Sequence, residues 1–194
     1  MLDGRIVRLE PLGPEHEESL FQAAGPTEIW PWLHAPPLGQ DRDVWSAWLA
    51  DATARAAAGE QAAWATVDAH TGAAIGSTRF MTLRPDQRGL EIGWTWLTPS
   101  AWHSGANIEA KLLQLTYAFE TLGCQRVELK THEHNQRSRG AMERMGATYE
   151  GILRKYQVTP GIGPGWRNSA FYSVIDDEWP AVRASLQARL ARYP

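Results

Sequence analysis

The sequence predicts a mixed α/β (α+β) fold in which most strands are antiparallel and one pair of neighbouring strands is parallel. Helical patterns come first, β-rich segments fill the middle of the chain, and strand and helix patterns then alternate towards the C-terminus. The central strand, which ends at Thr98-Pro99, is followed by a long amphipathic helix and by another strand over residues 125–131. Because a crossover helix joins parallel strands, we expect these two strands to be parallel neighbours.

The composition is that of an ordinary globular protein with no expected membrane or nucleic-acid partner. The 194 residues are 43% hydrophobic and 21% charged, which suits one domain, residues 1–194, with a substantial core. A net charge of −3 argues against a broad basic surface for nucleic acid. We find neither a signal-peptide pattern nor an apolar run close to the roughly 20 residues that span a bilayer. The single cysteine, Cys124, excludes an internal disulfide and fits a reducing, cytoplasmic location.

The first third of the chain combines one strand with two helices. Residues 5–10 alternate polar and apolar side chains, which is typical of a half-buried strand. Residues 15–24 and 42–58 have helical patterns, and a glycine follows each of them. Between the helices, residues 29–37 are rich in tryptophan and proline and have no clear period. We therefore expect an irregular aromatic segment between the two helices.

The remaining two thirds of the chain supply the rest of the sheet. Residues 61–68 and 73–83 flank the turn 69–72 and predict a hairpin, and the turn 84–89 then leads into the central strand. The segments expected after the central strand are a helix over 107–122, the strand 125–131, a helix over 136–145, strands over 147–157 and 166–175 joined by the segment 159–165, and a helix over 178–192.

A short run of small and polar residues, 102–107, connects the central strand to the long helix. Small residues permit a ligand to approach the backbone closely, and the first turn of a helix presents unpaired N–H groups at the positive end of its dipole. We therefore predict an anion site at this junction, and a pyrophosphate is the anion that we expect there.

Three segments together resemble the GCN5-related N-acetyltransferase (GNAT) superfamily, and in particular its RimJ/RimL-like branch. They are LEIGWTWLTPSAWHSGANIEAKLL, RVELKTHEHNQRSRGAMERMGA, and the C-terminal pair YEGILRKY and RNSAFYSVIDDEWPAV. The resemblance implies a central, mostly antiparallel, twisted sheet, flanked by helices, in which one parallel strand pair forms the cleft for coenzyme A. It also implies an N-acetyltransferase that moves the acetyl group of acetyl-CoA to a primary amine by direct attack in a ternary complex. The implied acceptor is a protein or peptide N-terminal amine or a small-molecule amine, and a homodimer is expected by analogy.

The predicted anion loop departs from the pattern of this superfamily. The family usually has Gln or Arg at the first loop position and Gly or Ala at the last, whereas this chain has Trp102 and Asn107 and retains only the central Gly105. Since a backbone N–H contact does not depend on the side chain, the loop is still expected to hold the pyrophosphate. The same departure leaves open a catalytically idle CoA-binding or sensing module on the same fold.

The resemblance assigns the contacts with coenzyme A to three places. Backbone groups at Trp96 and Leu97 are expected beside the pantetheine arm, together with Asn135 of the family's Asn-x-x-Ser pattern. Arg139 is expected at the adenosine 3′-phosphate. Two of these residues have ordinary alternatives, since Asn135 would also cap its helix and Arg139 would also suit a solvated helix face. The contacts with the pyrophosphate are expected from His103, Ser104, Gly105, Ala106 and Asn107. The alternative for His103 is an ordinary polar loop residue.

Two residues are candidates for catalysis. Glu91 stands where superfamily members with a catalytic strand glutamate often carry it, so the resemblance implies a base that accepts the proton of the amine. Ser138 is expected near the sulfur, where its hydroxyl would donate to the departing thiolate. Strict alternation places Glu91 on one face of the central strand and Trp94 and Trp96, with Ile92, on the other. An ion-paired or surface carboxylate is the ordinary alternative for Glu91.

The aromatic segment supplies the candidate acceptor site. Trp30, Trp32 and His34 fall where the superfamily builds its acceptor wall, so the resemblance implies that they contact the amine substrate, with cation–π attraction if the amine arrives charged. The alternatives are a buried aromatic cluster that caps the sheet, and a partner site on an interaction protein.

The sequence gives no reason to expect a metal. His132-Glu133-His134 is followed by Gln136 where the zinc motif His-Glu-x-x-His requires its second histidine, and no third ligand stands out. We therefore expect acetyl-CoA as co-substrate and no metal ion.

Overall fold

The computed structural model of the chain describes residues 1–33, 35, 37–159 and 164–193. The strands of these ranges are β1 (Leu2–Asp3), β2 (Val7–Pro11), β3 (Ala62–Asp68), β4 (Ala74–Arg84), β5 (Gly89–Leu97), β6 (Arg126–His132), β7 (Thr148–Val158) and β8 (Trp166–Ile175). The α-helices are α1 (Glu17–Ala23), α2 (Arg42–Ala57), α3 (Ala106–Thr116), α4 (Gln136–Met145) and α5 (Trp179–Leu190). No helix of the described residues is both long and apolar enough to cross a lipid bilayer.

The eight strands form one sheet in the order β1-β2-β3-β4-β5-β6-β8-β7. Neighbouring strands are antiparallel except for β5 and β6, which are parallel and are joined by the crossover through α3. This arrangement confirms the predicted fold class, a mostly antiparallel sheet with one parallel pair and flanking helices. The parallel pair is the one expected from the length of the helix between its two strands.

Two hydrophobic cores lie on opposite faces of the sheet. One core packs side chains of α3, α4 and α5 against the strands, and we call this side the α3 face. The other core packs side chains of α1 and α2 against the strands, and we call this side the α2 face. Aromatic rings concentrate on the α2 face, where the rings of Trp45, Trp48 and Trp96 lie within 6.4 Å of one another. The apolar stripes of the predicted helices therefore supply both layers.

The parallel pair is short, and this opens the sheet at its centre. β5 and β6 pair over Gly89–Glu91 and Arg126–Glu128. From Ile92 to Leu97, β5 is paired with β4 on one side, while its other side has no strand partner among the described residues. The two parallel strands therefore separate beyond Glu91, and their backbone groups in the gap are available to a ligand.

A β-bulge lies within the separated part of β5. Ser77 of β4 pairs with Trp96 and Arg79 pairs with Gly93, so one residue of β4 faces two residues of β5. Trp94, the first of the two, has a φ of 49°. A positive φ at a tryptophan marks local strain, which occurs where the surrounding structure requires it, and frequently at functional sites.

The bulge moves the side chains that follow it to the other face. Ile92 belongs to the core on the α3 face, whereas Trp96 belongs to the core on the α2 face and Trp94 packs against that second core. Thr95 accepts a hydrogen bond from Lys111 of α3 at 2.9 Å. The predicted alternation, which put Ile92, Trp94 and Trp96 on a common face, is therefore wrong. The extra residue at the bulge reverses the alternation from Trp94 onward.

Three other segments differ from the sequence-based expectation or extend beyond it. The predicted helix over 107–122 consists of α3 followed by a π-helical turn, Tyr117–Thr121. β1 was not predicted, because two residues are too few for an alternating pattern. The predicted connection 159–165 includes residues 160–163, which lie outside the described residues.

Glu109 ties the first turn of α3 to the start of β2. Its carboxylate is buried and accepts hydrogen bonds from three backbone N–H groups, those of Arg5 (2.9 Å), Ile6 (2.5 Å) and Val7 (2.7 Å). Arg5 and Ile6 precede β2, and Val7 is its first residue. Their N–H groups donate to a helix side chain and not to a neighbouring strand. Glu109 therefore fixes the position of α3 relative to the sheet.

We expect the substitution Glu109→Ala to lower the free energy of unfolding by about 2–3 kcal/mol, because it leaves buried N–H groups without an acceptor. Urea denaturation monitored by tryptophan fluorescence measures this change. Glu60→Ala is the control, since Glu60 is exposed and pairs only with Arg55, and it should change stability by less than about 0.5 kcal/mol. Equal stability losses for the two variants would contradict the structural role of Glu109.

Candidate active site

A cavity of about 620 Å³ lies at the gap between β5 and β6. Its wall on the α3 face comes from α3, α4 and the end of α5, and its wall on the opposite side includes Trp32, Leu33 and Arg167. Residues 91–97 of β5 and 129–131 of β6 line it between these two walls. The cavity therefore passes through the sheet where the parallel strands have separated.

The charge of the cavity is opposite in sign to that of the chain. Among the described residues that line it, Glu91 is the only carboxylate, whereas six are lysine or arginine. The whole chain carries a net charge of −3. A cleft lined mainly by one sign of charge concentrates ligands of the other sign, so this cavity favours an anionic ligand. The six cationic residues are Lys111, Lys130, Arg137, Arg144, Arg167 and Arg189.

The predicted anion loop forms one end of the cavity. Gly105 is the N-cap residue of α3 with a φ of 89°, and a Cβ atom there would lie 2.8 Å from Ile6 and 2.9 Å from the ring of Tyr193. Only glycine fits this position without strain. His103 and Asn107 line the cavity, next to the unpaired N–H groups of the first helical turn.

The middle of the loop shapes the backbone and does not line the cavity. The hydroxyl of Ser104 donates to the carbonyl of Ala101 at 2.7 Å and accepts the N–H of Ala106 at 3.3 Å. Of the five loop residues predicted to contact the pyrophosphate, His103 and Asn107 therefore reach the cavity, while Ser104, Gly105 and Ala106 hold the loop in position.

Trp102, which replaces the family's usual Arg or Gln, positions an arginine from another element. Its indole Nε1 donates to the carbonyl of Leu97 at 2.9 Å, and the guanidinium of Arg137 lies 3.8 Å from the centre of its ring system. Both side chains line the cavity. A cation stacked on a tryptophan is attracted to the π face. The loop lacks the family's usual arginine or glutamine, and Arg137 of α4 supplies a positive charge at the same place. The sequence of the loop alone does not reveal this.

Arg139, the residue predicted to bind the 3′-phosphate, points elsewhere. Its Nε donates to the hydroxyl of Tyr172 at 3.1 Å, and its Nη1 donates to the carbonyl of Glu133 at 3.0 Å. It does not line the cavity, whereas Arg137 and Arg144 of the same helix do. The packing of α4 against the sheet decides which arginines face the cavity, and the sequence alone did not predict that choice.

Asn135 and Ser138 both line the cavity. The side-chain oxygen of Asn135 accepts the N–H of Ser138 at 3.1 Å, and its amide group donates to the hydroxyl of Thr131 at 3.0 Å. Asn135 therefore caps α4, as its position in the sequence also allowed, and this cap places Ser138 on the first turn of the helix. The hydroxyl of Ser138 makes no hydrogen bond to any described residue.

Glu91 lines the cavity from the head of the gap and is 4% exposed. Its Oε2 forms an ion pair with the ammonium of Lys130 and accepts the hydroxyl of Thr82 at 3.1 Å. Its Oε1 has no hydrogen-bond partner in the part of the chain that the structure describes. Glu91 is therefore both ion-paired and part of the cavity wall, although the sequence analysis treated an ion-paired carboxylate and a carboxylate at the cleft as alternatives.

Trp32 is the one predicted acceptor residue that the structure places at the cavity. Its ring lies 4.8 Å from that of His132. Trp30, in contrast, is buried, donates through its indole N–H to the carbonyl of Ala24 at 3.0 Å and packs on Trp96. Trp30 is therefore part of the core on the α2 face and not of the cavity wall. His34 lies outside the described residues.

Lys111 is a buried cation at the cavity that sequence reasoning missed. It is 6% exposed, and its Nζ donates to Thr78 (3.2 Å), Thr95 (2.9 Å) and Gln114 (2.8 Å), all of them neutral. Burial lowers the pKa of Lys111 from 10.5 to about 7. Its position was a usable signal, since residue 111 lies three residues after Ile108 and four before Leu115, on the apolar side of the predicted helix.

Arg167 is the second buried cation that the sequence did not reveal. It is 7% exposed and lines the cavity from β8. Burial lowers the pKa of Arg167 to about 10, so its guanidinium is charged at neutral pH. An arginine within an alternating strand usually points to solvent, whereas Arg167 is buried and donates through its Nη1 to the carbonyl of Trp32.

Two features of the described residues bear on metal binding and on thiol chemistry. Within the described ranges, no cluster of three His, Cys, Asp or Glu side chains is arranged to hold a metal ion. The thiol of Cys124 is buried, which raises its pKa, and it does not line the cavity.

Known proteins match the chain over most of its length. Residues 7–148 match the family described as Acetyltransferase (GNAT) domain. The crystal structure of a GCN5-related N-acetyltransferase from Brucella melitensis is 34% identical, with a TM-score of 0.89, over 97% of this chain and 84% of that one. An uncharacterised N-acetyltransferase of Bacillus subtilis (strain 168), YoaA, is 31% identical over 87 residues, which are 45% of this chain and 49% of that protein. The match thus spans about half the length of this curated relative.

A more distant likeness concerns the fold alone. RimJ of Mycobacterium smegmatis, solved in complex with CoA-disulfide, has a TM-score of 0.76 over 95% of this chain and 93% of that one, at 19% identity. The family match covers residues 7–148, and these residues include β5, β6, the gap between them and the glycine at the start of α3. The chain belongs to the GNAT acetyltransferase family.

Proposed function

We propose that this chain is an acetyl-CoA-dependent N-acetyltransferase that transfers the acetyl group to a primary amine in a ternary complex. Membership of the GNAT family supports acetyl transfer as the reaction. The observation that carries the proposal is the cavity in the gap between β5 and β6, whose described lining holds six lysine and arginine residues and one carboxylate, that of Glu91. The acceptor that we propose is a peptide or protein N-terminal amine or a small-molecule amine.

The cavity fits an elongated ligand with phosphates at one end. Arg137 and His103 lie at the N-terminal end of α3, and Arg189, which donates to the carbonyl of Arg144 at 2.7 Å, lines the same side of the cavity. Helix N-termini and clustered guanidinium groups are the usual protein partners of phosphates. Apolar residues of α3 and α4, among them Ile108 and Met142, line the α3-face wall as well. These features support acetyl-CoA as the co-substrate.

When bound, acetyl-CoA supplies a thioester whose carbonyl carbon forms the new bond to nitrogen while its bond to sulfur breaks. Glu91 takes the proton that the amine must lose, and the ammonium of Lys130 holds the carboxylate in place on the other side. Backbone N–H groups of β5 near Trp96 and Leu97, unpaired towards β6, are suited to hold the developing negative charge on oxygen. Ser138 lines the same cavity, and its hydroxyl is the group that we propose to return a proton to the sulfur.

The finer parts of the proposal rest on the sequence. The RimJ/RimL-like branch and a homodimer follow from the resemblance, one domain over residues 1–194 follows from length and composition, and a cytoplasmic location follows from the single cysteine. A catalytically idle CoA-binding module is the alternative, and the replacement of the usual loop residue by Trp102 favours it. The stacking of Arg137 on Trp102 favours CoA binding under both proposals, so only transfer to an amine separates them.

The test is binding of CoA followed by transfer. We expect CoA to raise the melting temperature of the purified chain, as any ligand of the folded state does. We also expect labelled acetyl-CoA to modify an amine in a mass-spectrometric panel of peptides and metabolites. Arg137→Gln should weaken CoA binding by about tenfold, measured by calorimetry, since one charge-assisted contact is lost.

Arg139→Gln is the matched control, because it removes the same charge from the same helix at a position that does not line the cavity. It should change the Kd for CoA by less than about twofold. Equal effects of the two variants would contradict the placement of the phosphates. A folded chain that binds CoA and acetylates no amine would support the idle module, and one that does not bind CoA would refute both proposals.

A further inference from the structure

Arg167 is a buried cation with neutral partners only. Its Nε donates to the hydroxyl of Ser169 at 3.1 Å, and its Nη1 donates to the carbonyl of Trp32 at 3.2 Å. No carboxylate of the described residues lies within ion-pair distance of its guanidinium, and its Nη2 has no hydrogen-bond partner among them. Burying a guanidinium without a counter-ion is costly, so the pairing of this residue is incomplete in the chain itself.

The charges around Arg167 leave a net positive charge at this end of the cavity. Glu91 is the carboxylate that acts on Arg167 electrostatically, but it is already paired with Lys130. Burial lowers the pKa of His132 below its usual value of 6.5, and Arg167 adds to this effect, so the imidazole is neutral at neutral pH. Glu133 accepts a hydrogen bond from Asn168 and lies 3.7 Å from His134. Among the described residues, the positive charge of Arg167 therefore remains uncompensated at this end of the cavity.

Arg167 lies on the acceptor side of the sheet and not on the phosphate side. Along β8, Arg167 shares its face with Ser169 and Phe171, and Phe171 pairs with Lys130 of β6. Ala170, which lies between Ser169 and Phe171, belongs to the core on the α3 face, so Arg167 and Lys130 are on the opposite side, with Glu91. The three arginines on the α3-face wall are already available to the phosphates, which leaves Arg167 for the other substrate.

We propose that the acceptor of this enzyme is an amine that also carries a carboxylate, and that Arg167 binds this carboxylate while Glu91 takes the proton of the amine. A guanidinium with a free nitrogen towards the cavity binds a carboxylate with directed, charge-assisted hydrogen bonds. The inference rests on the proposed function, since it names the substrate class of the same site. A free amino acid and a peptide with an acidic residue next to its N-terminus both present this chemistry.

The test compares matched acceptors with labelled acetyl-CoA. One arm uses free amino acids and their α-carboxamides, and the other uses dipeptides with Asp or Asn in the second position. If the natural acceptor is a free amino acid, we expect kcat/KM to be about tenfold higher for amino acids than for their α-carboxamides. If it is a peptide, we expect the same difference between the Asp and the Asn dipeptides. Arg167→Gln should lower kcat/KM about 100-fold for the carboxylate member and less than about threefold for the carboxamide member. Arg167→Lys should recover part of the preference.

Arg79→Gln is the control for the burial of a charge. Arg79 is buried to a similar degree, and burial lowers its pKa to about 10 as well. Its guanidinium lies 5.1 Å from the ring centre of Trp48 and 4.9 Å from that of Trp94, and it does not line the cavity. Its replacement is expected to reduce stability and to leave the ratio of carboxylate to carboxamide activity unchanged. The ratio does not depend on the amount of folded enzyme, so it separates recognition from folding.

The outcomes for the two proposals differ. Transfer to carboxamides and simple amines that equals or exceeds transfer to carboxylates would overturn the role of Arg167 and leave the proposed function intact. An unchanged preference in Arg167→Gln would also overturn it. Binding of CoA without transfer to any acceptor would instead refute the proposed enzymatic function.

Discussion

Replacing Glu91 by glutamine is expected to lower kcat by a factor of about 10² to 10³ while the Kd for CoA stays within about twofold. Glutamine keeps the shape of the side chain and an oxygen that accepts the hydroxyl of Thr82, but it does not accept a proton. Glu91 lies at the head of the gap between β5 and β6, and the oxygen that is free of Thr82 and Lys130 is Oε1. Steady-state kinetics at saturating acetyl-CoA measure the loss.

Glu128→Gln is the matched control for this substitution. Glu128 pairs with Glu91 in the parallel register of β5 and β6, and it forms ion pairs with Arg84 and Arg126. It does not line the cavity, so its replacement should change kcat by less than about twofold. Glu91→Gln also leaves Lys130 buried without its counter-ion, which lowers stability. The folded fraction of each variant is therefore measured by circular dichroism at the assay temperature, and kcat is calculated per folded molecule. Wild-type turnover in Glu91→Gln, or an equal loss in both variants, would rule out the base.

The course of β5 shows why the sheet could be predicted and the faces of its central strand could not. The parallel pair follows from the helix between the strands, which is a property of one stretch of sequence. The bulge at Trp94 depends on how β4 and β5 pair, and nothing within the segment from Ile92 to Trp96 announces it. A single extra residue reverses the alternation, so the aromatic side chains changed faces without any change in the strand boundaries.

The sequence predicted which side chains reach the cavity where their backbone position determines this, and it did so less well where the packing of a helix determines it. Glu91 and Ser138 reach the cavity because a strand register and a helix cap place them there. Arg137 and Arg139 are two residues apart on one helix, and only the angle of α4 on the sheet determines that the first faces the cavity. Similarly, the net charge of −3 is a sum over the whole chain, so it does not reveal the six lysine and arginine residues that line one cavity.

Lys111 provides the second large expected effect, a dependence of stability on pH. Burial lowers the pKa of Lys111 to about 7 in the folded chain, while the unfolded chain keeps the usual value of 10.5. Between these two values the unfolded state binds more protons than the folded state, so stability rises with pH. Below about pH 7 the lysine is protonated in both states, and the full cost of burying the ammonium is present. Above about pH 10.5 it is neutral in both states, and this cost vanishes.

We therefore expect Lys111→Met to be more stable than the wild type at pH 7 and to lose most of this advantage by pH 10. The difference in the free energy of unfolding between the two proteins should shrink by roughly 3 kcal/mol over this range. Using the difference removes the contributions of other titrating groups, which are common to both proteins. After the substitution, the hydroxyls of Thr78 and Thr95 retain their mutual hydrogen bond of 2.7 Å, which limits the polar cost of the methionine.

Lys155→Met is the control, because Lys155 is exposed on β7, and the difference between this variant and the wild type should be nearly constant from pH 7 to pH 10. Urea denaturation at each pH measures all three proteins. A difference for Lys111→Met that does not change with pH would mean that the ammonium keeps its charge in the folded state, held by Thr78, Thr95 and Gln114. The cavity would then present a permanent cation to the acyl donor beside the bulge of β5, and CoA affinity should fall in Lys111→Met at every pH.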